Sequence, residues 1–575
     1  MSERPRNHRG SNSSRFRSQS HRSSTEGRVS ALSDFADSSK FKIIFIVFVA
    51  LALVFFARLL YLQVIVSDEY SSQAQASRTI SFDISARRGT IYDRNGVVLA
   101  TSVDATTVYC DPSEITDVSY AATKIAETLG GKASDYTDVL DSDTATFAYV
   151  KRQADVEAAA KLEQLDIAGI YFIEDSRREY PNGAIGGQVI GVCDVDGNGL
   201  TGLELQYDEI LKGTPGTYSA QRGRDGTPIP GGVTEDVPAV DGQDIMISID
   251  IKLQDSVEQA LKAGVEDPRI AGEKGTSVVM DAATGEIYAI CSLPYLDPTN
   301  REKAESDAFN LSPVSQAFEP GSIFKTVTLA AALEELPGLE ERTWVCEGSA
   351  QIGDGTVTCT AAHGEQDIRE ALANSCNVVF GQLAVELGGS TLERYAGKAG
   401  LTSRYSVNGI PTAAGSFSLT GISDNDLAWA GVGQYHDAVN PCSMLVYMGA
   451  IANGGRAAVP CLLLQVDTPG LPDLPQFTRR TGRLIARDTA ETLADMMAYN
   501  VTAAYGTSRF PNMDLCAKSG TAEVGGGQAP HAWFTGFLRD EDHPYAFLVL
   551  VENGGSGSSA AGDVASRVLN ALVSP

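Results

Sequence analysis

Positive charge is what this chain is short of. Its 575 residues hold 45 Lys and Arg against 73 Asp and Glu, a net charge of −28. A body of that sign cannot track a nucleic-acid backbone, because such binding depends on cationic groups releasing counterions, so no nucleic-acid partner is expected. The few cations are also unevenly placed. Residues 1–42 carry nine Lys/Arg against four Asp/Glu, a balance of +5, which leaves −33 for the remainder. No solenoid period runs through the chain, and low complexity is confined to the N-terminal tail. A hydrophobic content of 43% is enough for two or more domains with sizeable cores.

The tail itself is Ser/Arg/Asn-rich and poor in apolar side chains. It cannot bury enough surface to offset chain entropy, so residues 1–42 read as a disordered basic segment. Next comes Ile43–Ala57, fifteen residues without a charge; Arg58 interrupts, and the apolar run resumes to Val66. The whole stretch 43–66 is long enough to span a bilayer, with Arg58 snorkelling toward the headgroups. No small-x-small cleavage site follows it, so an uncleaved anchor is expected rather than a signal peptide. The basic flank precedes the span, which predicts a cytoplasmic N-terminus and an extracytoplasmic body.

After the anchor, residues 67–240 read as one β-rich module. Arg88 to Gly96 holds an Asn-Gly hairpin signal, followed by the apolar strand Val97–Ala100. Residues 113–168 show helical spacing, and glycine-rich stretches follow near 178–211 and 221–233. Residues 241–575 then alternate. Strands are predicted over 276–280, 286–291, 515–523, 532–538 and 545–551. Helices are predicted over 251–265, 323–335, 366–387, 424–452 and 561–572. Strands at both ends with helices between predict an α+β fold, one antiparallel sheet flanked by helices.

Three short motifs stand within this second region: Ser322-Ile323-Phe324-Lys325, Ser375-Cys376-Asn377 and Lys518-Ser519-Gly520-Thr521. A serine that attacks a carbonyl needs a base, and a lysine three residues on lies one helical turn away on the same face. Pro320-Gly321 sets a sharp start to that helix, whose positive end favours a developing anion. Lys325 acts as base only when neutral; burial and the second cation, Lys518, lower its pKa. Ser375 and Asn377 relay the proton and hold the lysine. The Lys-Ser-Gly-Thr strand binds a carboxylate and offers an N–H to an oxyanion. The first two motifs are common by chance and the third, though rarer, could be a plain turn, so their order and context carry the reading.

With Arg88-Gly89-x-Ile91-Tyr92-Asp93-Arg94-Asn95-Gly96, Tyr180-Pro181-x-Gly183, Gly202-Leu203-Glu204, Glu319-Pro320-Gly321-Ser322 and Trp533-Phe534-Thr535-Gly536-Phe537, the chain resembles a class B penicillin-binding protein over residues 43–575. The resemblance implies an elongated, non-catalytic pedestal before a transpeptidase domain of serine β-lactamase-like fold. It implies peptidoglycan D,D-transpeptidation: Ser322 is acylated by a D-Ala-D-Ala stem peptide, Lys325 is the base, and Ser375, Asn377 and Lys518 complete the site. Ser519, Gly520 and Thr521 bind the terminal carboxylate, and β-lactams acylate the same serine. No cofactor is required. No segment resembles a glycosyltransferase, so a membrane glycan polymerase and the division or elongation machinery are the expected partners. Three other readings compete. A carboxypeptidase or β-lactamase would use water as acceptor. A β-lactam sensor would need a cytoplasmic output domain that the tail is too short to supply, and a dead scaffold is at odds with a complete motif set.

Nine cysteines are many for an exported chain. Cys346, Cys359, His363 and Cys376 form a Cys₃His set suited to tetrahedral zinc, with Cys376 inside the second motif. The resemblance allows zinc there too. A Cys346–Cys359 disulfide and buried free thiols are the alternatives. The spacing is not that of a compact finger, and all three readings stay open.

Overall fold

The first described element is a helix, α1 (Ser39–Leu60), which runs on through a π-helical turn, Tyr61–Ile65. Within it, Phe41–Val64 are 24 residues long and apolar enough to cross a membrane, with none of the span buried in protein. The Arg58 guanidinium folds back over the Tyr61 ring, 5.3 Å from its centroid. This computed structural model describes residues 39–65, 79–141, 147–222, 228–270, 272–467, 478–510, 513–540 and 544–573. Residues 1–38, most of the predicted disordered tail, lie outside them.

The chain divides into two compact units. The first, residues 1–82 and 218–236, includes a three-stranded sheet in the order Thr79–Ile84, Gly216–Arg222, Pro228–Val237. The second, residues 83–217 and 237–575, holds everything described below.

The predicted Asn-Gly hairpin forms between Ile91–Tyr92 and β1 (Val98–Cys110). Asp93 Oδ1 accepts the N–H groups of Asn95 and Val97, and Gly96 takes φ +80, which a side chain would resist. Next come α2 (Val118–Leu129), α3 (Ala133–Leu140), β2 (Ala148–Ala154), α4 (Val156–Glu163) and β3 (Ile170–Glu179). β1 pairs antiparallel with both β2 and β3. Val108, Cys110, Ala121, Ile125, Leu140 and Leu162 form the core between sheet and helices. Asp117 and Asp155 cap α2 and α4 by accepting the N–H groups of Tyr120 and Ala158.

Two of the segments that carry the resemblance, together with Arg178 of β3, meet at one carboxylate. Glu204, with no solvent exposure, accepts Arg88 Nε at 2.6 Å and Arg178 Nε at 2.7 Å, while Arg88 Nη1 reaches Asp208 Oδ1 at 2.6 Å. A buried charge is tolerated only when paired, so these segments specify one another. The sheet continues past residue 240. Ile245–Ile247 runs parallel to Ile91–Tyr92 on one side and antiparallel to Leu463–Val466 on the other.

The catalytic-size region that follows contains α5 (Ile251–Val265), β4 (Lys274–Asp281), β5 (Ile287–Ser292), α6 (Lys325–Glu335), α7 (Asn377–Leu387), α8 (Pro441–Ala452), α9 (Arg487–Asn500), β6 (Leu515–Ala522), β7 (His531–Leu538), β8 (Tyr545–Glu552) and α10 (Ala560–Val573). The strands form one antiparallel sheet in the order β5-β4-β8-β7-β6, each within two residues of expectation, with β6 at an edge. One face packs on α5 and α10 through Val257, Leu261, Phe534, Phe547 and Val564. The other face meets the central helices through Trp533, Phe537, Leu548, Tyr447 and Met448.

Two local expectations change. The predicted helix over 424–452 forms as two helices, Asp424–Gly431 and α8, with a loop between them that ends at the helix-starting Pro441. The predicted helix over 366–387 is broken: Ile368–Ala373 ends, Ser375 takes the left-handed φ of +51, and α7 starts at Asn377. The break has a cause in the hydrogen bonding. Ser375 N–H turns back to Leu372 O and Cys376 N–H to Ala371 O, closing the first helix before the second begins.

Candidate active site

The nucleophile candidate is placed by a tight turn. Gly321–Phe324 forms a 3₁₀ turn that leads directly into α6. Gly321 has φ +54, and a Cβ there would lie 2.5 Å from Thr521 O. Only glycine lets the turn approach β6 this closely. Gly520 answers from the strand: a Cβ on it would come within 3.0 Å of Ile323 Cγ2 and Pro320 O. Trp533 Nε1 donates to Glu319 O at 2.9 Å, tying the turn to β7 as well.

Lys325 sits one turn after Ser322 and has no solvent exposure. Its Nζ donates to Ser322 Oγ at 3.0 Å, Ser375 O at 2.6 Å, Ser375 Oγ at 3.1 Å and Asn377 Oδ1 at 2.7 Å. Lys518, equally buried, reaches from β6 to Ser375 Oγ at 3.1 Å and to its neighbour's carbonyl, Ser519 O, at 2.9 Å. The side chains of Ser322, Lys325, Ser375, Asn377 and Lys518 thus form one hydrogen-bonded cluster. The left-handed backbone at Ser375 lets its carbonyl and hydroxyl face Lys325 together.

Burial pushes Lys325 down to about 7, against a smaller upward pull from the Cys359 and Cys376 sulfurs. Burial and then the charge of Lys325 hold Lys518 well below the ordinary lysine range. Two amines that share one hydroxyl in a desolvated site cannot both stay charged cheaply. A neutral lysine 3.0 Å from a serine hydroxyl can accept its proton.

The third motif divides between the two faces of its strand. Lys518 points to the helical side. The Ser519 hydroxyl lies instead against Tyr505, whose Oη donates to Ser519 Oγ at 3.1 Å and accepts Ser519 N–H at 2.9 Å. Thr521 Oγ1 accepts Gly557 N–H at 3.0 Å. This follows from the period of two along a strand.

Two residues outside the motifs shape the same edge. They are Tyr505, which ends the π-helical turn after α9, and Gln434, in the loop before α8. Gln434 Nε2 donates to Thr521 O at 2.6 Å and its Oε1 accepts Glu523 N–H at 3.0 Å. Neither lies in a recognisable pattern, and no local signal marks them.

Beside the second motif, the ligand atoms of Cys346, Cys359, His363 and Cys376 all lie within 4.8 Å of one another. Cys359 and Cys376 sulfurs are 3.6 Å apart, close to the separation that four ligands take around zinc. His363 Nδ1 is buried and has no hydrogen-bond partner among the described residues. The Cys376 thiol and backbone N–H groups at the start of α7 push Cys359 down to about 5, favouring thiolate, while its neighbour Cys376 is pushed up. The donor set fits a tetrahedral metal. All nine cysteines are free thiols.

The chain is similar to known proteins over most of its length. Residues 275–574 match the family model described as penicillin binding protein transpeptidase domain, and residues 83–247 match the penicillin-binding protein dimerisation domain. Stage V sporulation protein D of Bacillus subtilis is 27% identical over 541 residues, covering 90% of this chain and 82% of the relative. Peptidoglycan D,D-transpeptidase FtsI of Escherichia coli is 26% identical over 543 residues, covering 91% and 89%. The fold is similar to that in the complex between penicillin-binding protein PBP2 and MreC from Helicobacter pylori. The TM-score is 0.70 at 21% identity, covering 86% of this chain and 99% of that one. A transpeptidase match over more than half of the chain, preceded by its dimerisation module and containing the serine–lysine cluster, makes the chain a member of the class B penicillin-binding proteins.

Proposed function

We propose that the chain is a peptidoglycan D,D-transpeptidase whose nucleophile is Ser322. The observation that carries the assignment is the buried Lys325 Nζ, 3.0 Å from Ser322 Oγ and linked through Ser375 to Lys518. Lys325 takes the Ser322 proton as Oγ bonds to the carbonyl carbon between the two terminal D-alanines. The oxyanion that forms lies between the N–H groups of Ser322 and Thr521. When the C–N bond breaks, the departing D-alanine amine receives the proton from Lys325 by way of the Ser375 hydroxyl. An amino group of a second stem peptide then attacks the ester, loses its proton to the same relay, and restores the Ser322 hydroxyl. Asn377 orients Lys325. Gly520 allows close approach, and Ser519 and Thr521 flank the terminal carboxylate. Acylation needs no cofactor.

The finer readings belong here too. Residues 67–240 serve as pedestal and 241–575 as the transpeptidase unit. The basic tail keeps the N-terminus in the cytoplasm and the catalytic unit outside. The partners are a membrane glycan polymerase and the division or elongation machinery, a reading supported by the relative solved in complex with MreC. A structural zinc held by Cys346, Cys359, His363 and Cys376 would neutralise thiolates and brace the start of α7, where Asn377 N–H already donates to Cys359 Sγ at 3.0 Å.

Labelling with a fluorescent penicillin tests the nucleophile. Wild-type chain is expected to carry one label on the peptide containing Ser322, and Ser322→Ala none. Labelling of the alanine variant at full intensity would remove Ser322 from the mechanism.

A further inference from the structure

The edge of β6 is almost fully occupied by the protein's own groups. In an antiparallel pair, alternate residues turn their N–H and C=O toward the partner strand or away from it. The hydrogen bonds of Ser519 and Thr521 turn them away from β7, and Glu523 follows the last paired residue, Ala522. Ser519 N–H donates to Tyr505 Oη, and Ser519 O accepts Lys518 Nζ. Thr521 O accepts Gln434 Nε2 at 2.6 Å, and Glu523 N–H donates to Gln434 Oε1 at 3.0 Å. Gln434 therefore spans Thr521 and Glu523 as a residue of a neighbouring parallel strand would. Between these partners stands the Thr521 N–H.

On the transpeptidase reading, from which this inference starts, the scissile carbonyl accepts that N–H. A residue paired antiparallel exchanges both of its bonds with one opposite residue. The donor residue whose carbonyl meets Thr521 N–H thus directs its own amide N–H to Thr521 O, where Gln434 already sits. Room for two donors is small: the Gly321 turn crowds the same carbonyl, with a Cβ position only 2.5 Å away. The Gln434 backbone cannot withdraw easily. Gly321 N–H donates to Gly433 O at 3.0 Å, and a Cβ on Gly433 would lie 2.1 Å from Gly321 O.

We propose that Gln434 is a specificity-determining residue whose carboxamide holds the place on the Thr521 carbonyl that the acyl donor's own amide N–H takes. A ligand that carries an N–H there must displace Gln434 and exchanges one bond for another, whereas a ligand without one leaves Gln434 in place, so the carboxamide damps the preference for such an N–H. Removing Gln434 frees the acceptor for any donor amide and gives nothing to a ligand that lacks one.

Two β-lactams separate these cases. Benzylpenicillin has an acylamino N–H beside its ring, and penicillanic acid has none. Second-order acylation rate constants would be measured for both on the detergent-solubilised full chain, as wild type, Gln434→Ala and Gln434→Met. Melting temperatures would report folding. The benzylpenicillin-to-penicillanic acid ratio is expected to rise about three- to tenfold in the variants, the worth of one hydrogen bond. An unchanged ratio would make Gln434 a strut that shares the carbonyl and overturn the proposal, and a lower ratio would mean that Gln434 assists the amide. The methionine variant keeps the side-chain volume and carries the test if the alanine variant unfolds. Absence of any acylation of wild-type Ser322 would sink the transpeptidase reading itself, an outcome distinct from a flat ratio.

Discussion

Lys325 and Lys518 donate to the same Ser375 hydroxyl, each at 3.1 Å, and neither side chain touches solvent. Proteins bury one lysine reluctantly, and two on one acceptor demand that at least one be neutral.

Acylation should therefore follow the deprotonation of this pair. Lys325 is pushed down to about 7, so its neutral form grows as pH rises through that value. The acylation rate constant of a fluorescent penicillin is expected to be about tenfold lower at pH 6 than on the plateau above pH 8. A profile flat from pH 5.5 to 8.5 would mean that Lys325 is not the base.

Ser375 has two separable roles. Its hydroxyl joins the lysines, and its backbone sits at φ +51, where a Cβ costs on the order of 1 kcal/mol. Ser375→Ala and Ser375→Gly both delete the hydroxyl and should acylate about 10²-fold more slowly than wild type. The glycine variant should nonetheless melt higher than the alanine variant. Equal melting temperatures would show that the turn stores no strain, and near-normal acylation in either would remove the relay.

The Cys₃His cluster makes a compositional prediction. Chain purified without chelator should contain about one zinc, and Cys359→Ser should lose most of it. Metal removal should lower the melting temperature, because the ligands tie Cys346 and His363 to the start of α7. Metal-free protein with Cys346 and Cys359 oxidised to each other would reject the site.

Asp437, in the loop that carries Gln434, is 1% exposed, and neither carboxylate oxygen has a hydrogen-bond partner among the described residues. Burial pushes it up to about 7. The unfolded chain ionises near the ordinary value of about 4, so the folded state is the better proton binder between the two. Stability should fall as pH rises from about 4 to 7 and stay low above, by about 3–4 kcal/mol in all. Asp437→Asn should flatten this slope and raise the melting temperature at pH 8. An unaltered slope would place the titration elsewhere.

Legibility differed from residue to residue for physical reasons. Ser322 and Lys325 are separated by one helical turn, so their contact was readable from spacing alone. The opposite faces taken by Lys518 and Ser519 were implicit in strand alternation, although motif reading grouped their side chains. The Ser375 kink was hidden, because residues 366–387 carry helical patterning on both sides of it. Gln434 and Tyr505 act through strand-edge backbone groups, which have no sequence signature of their own.

The order of modules, the apolar span and the chemical types in the serine–lysine cluster were set by the chain's residues in their linear order, since each depends on neighbours a few positions away. Protonation and access were decided only in three dimensions. A lysine becomes a base through desolvation by distant segments, and a backbone N–H becomes an oxyanion donor only when strand pairing turns it outward. Both are collective properties of packing that no single stretch of sequence contains.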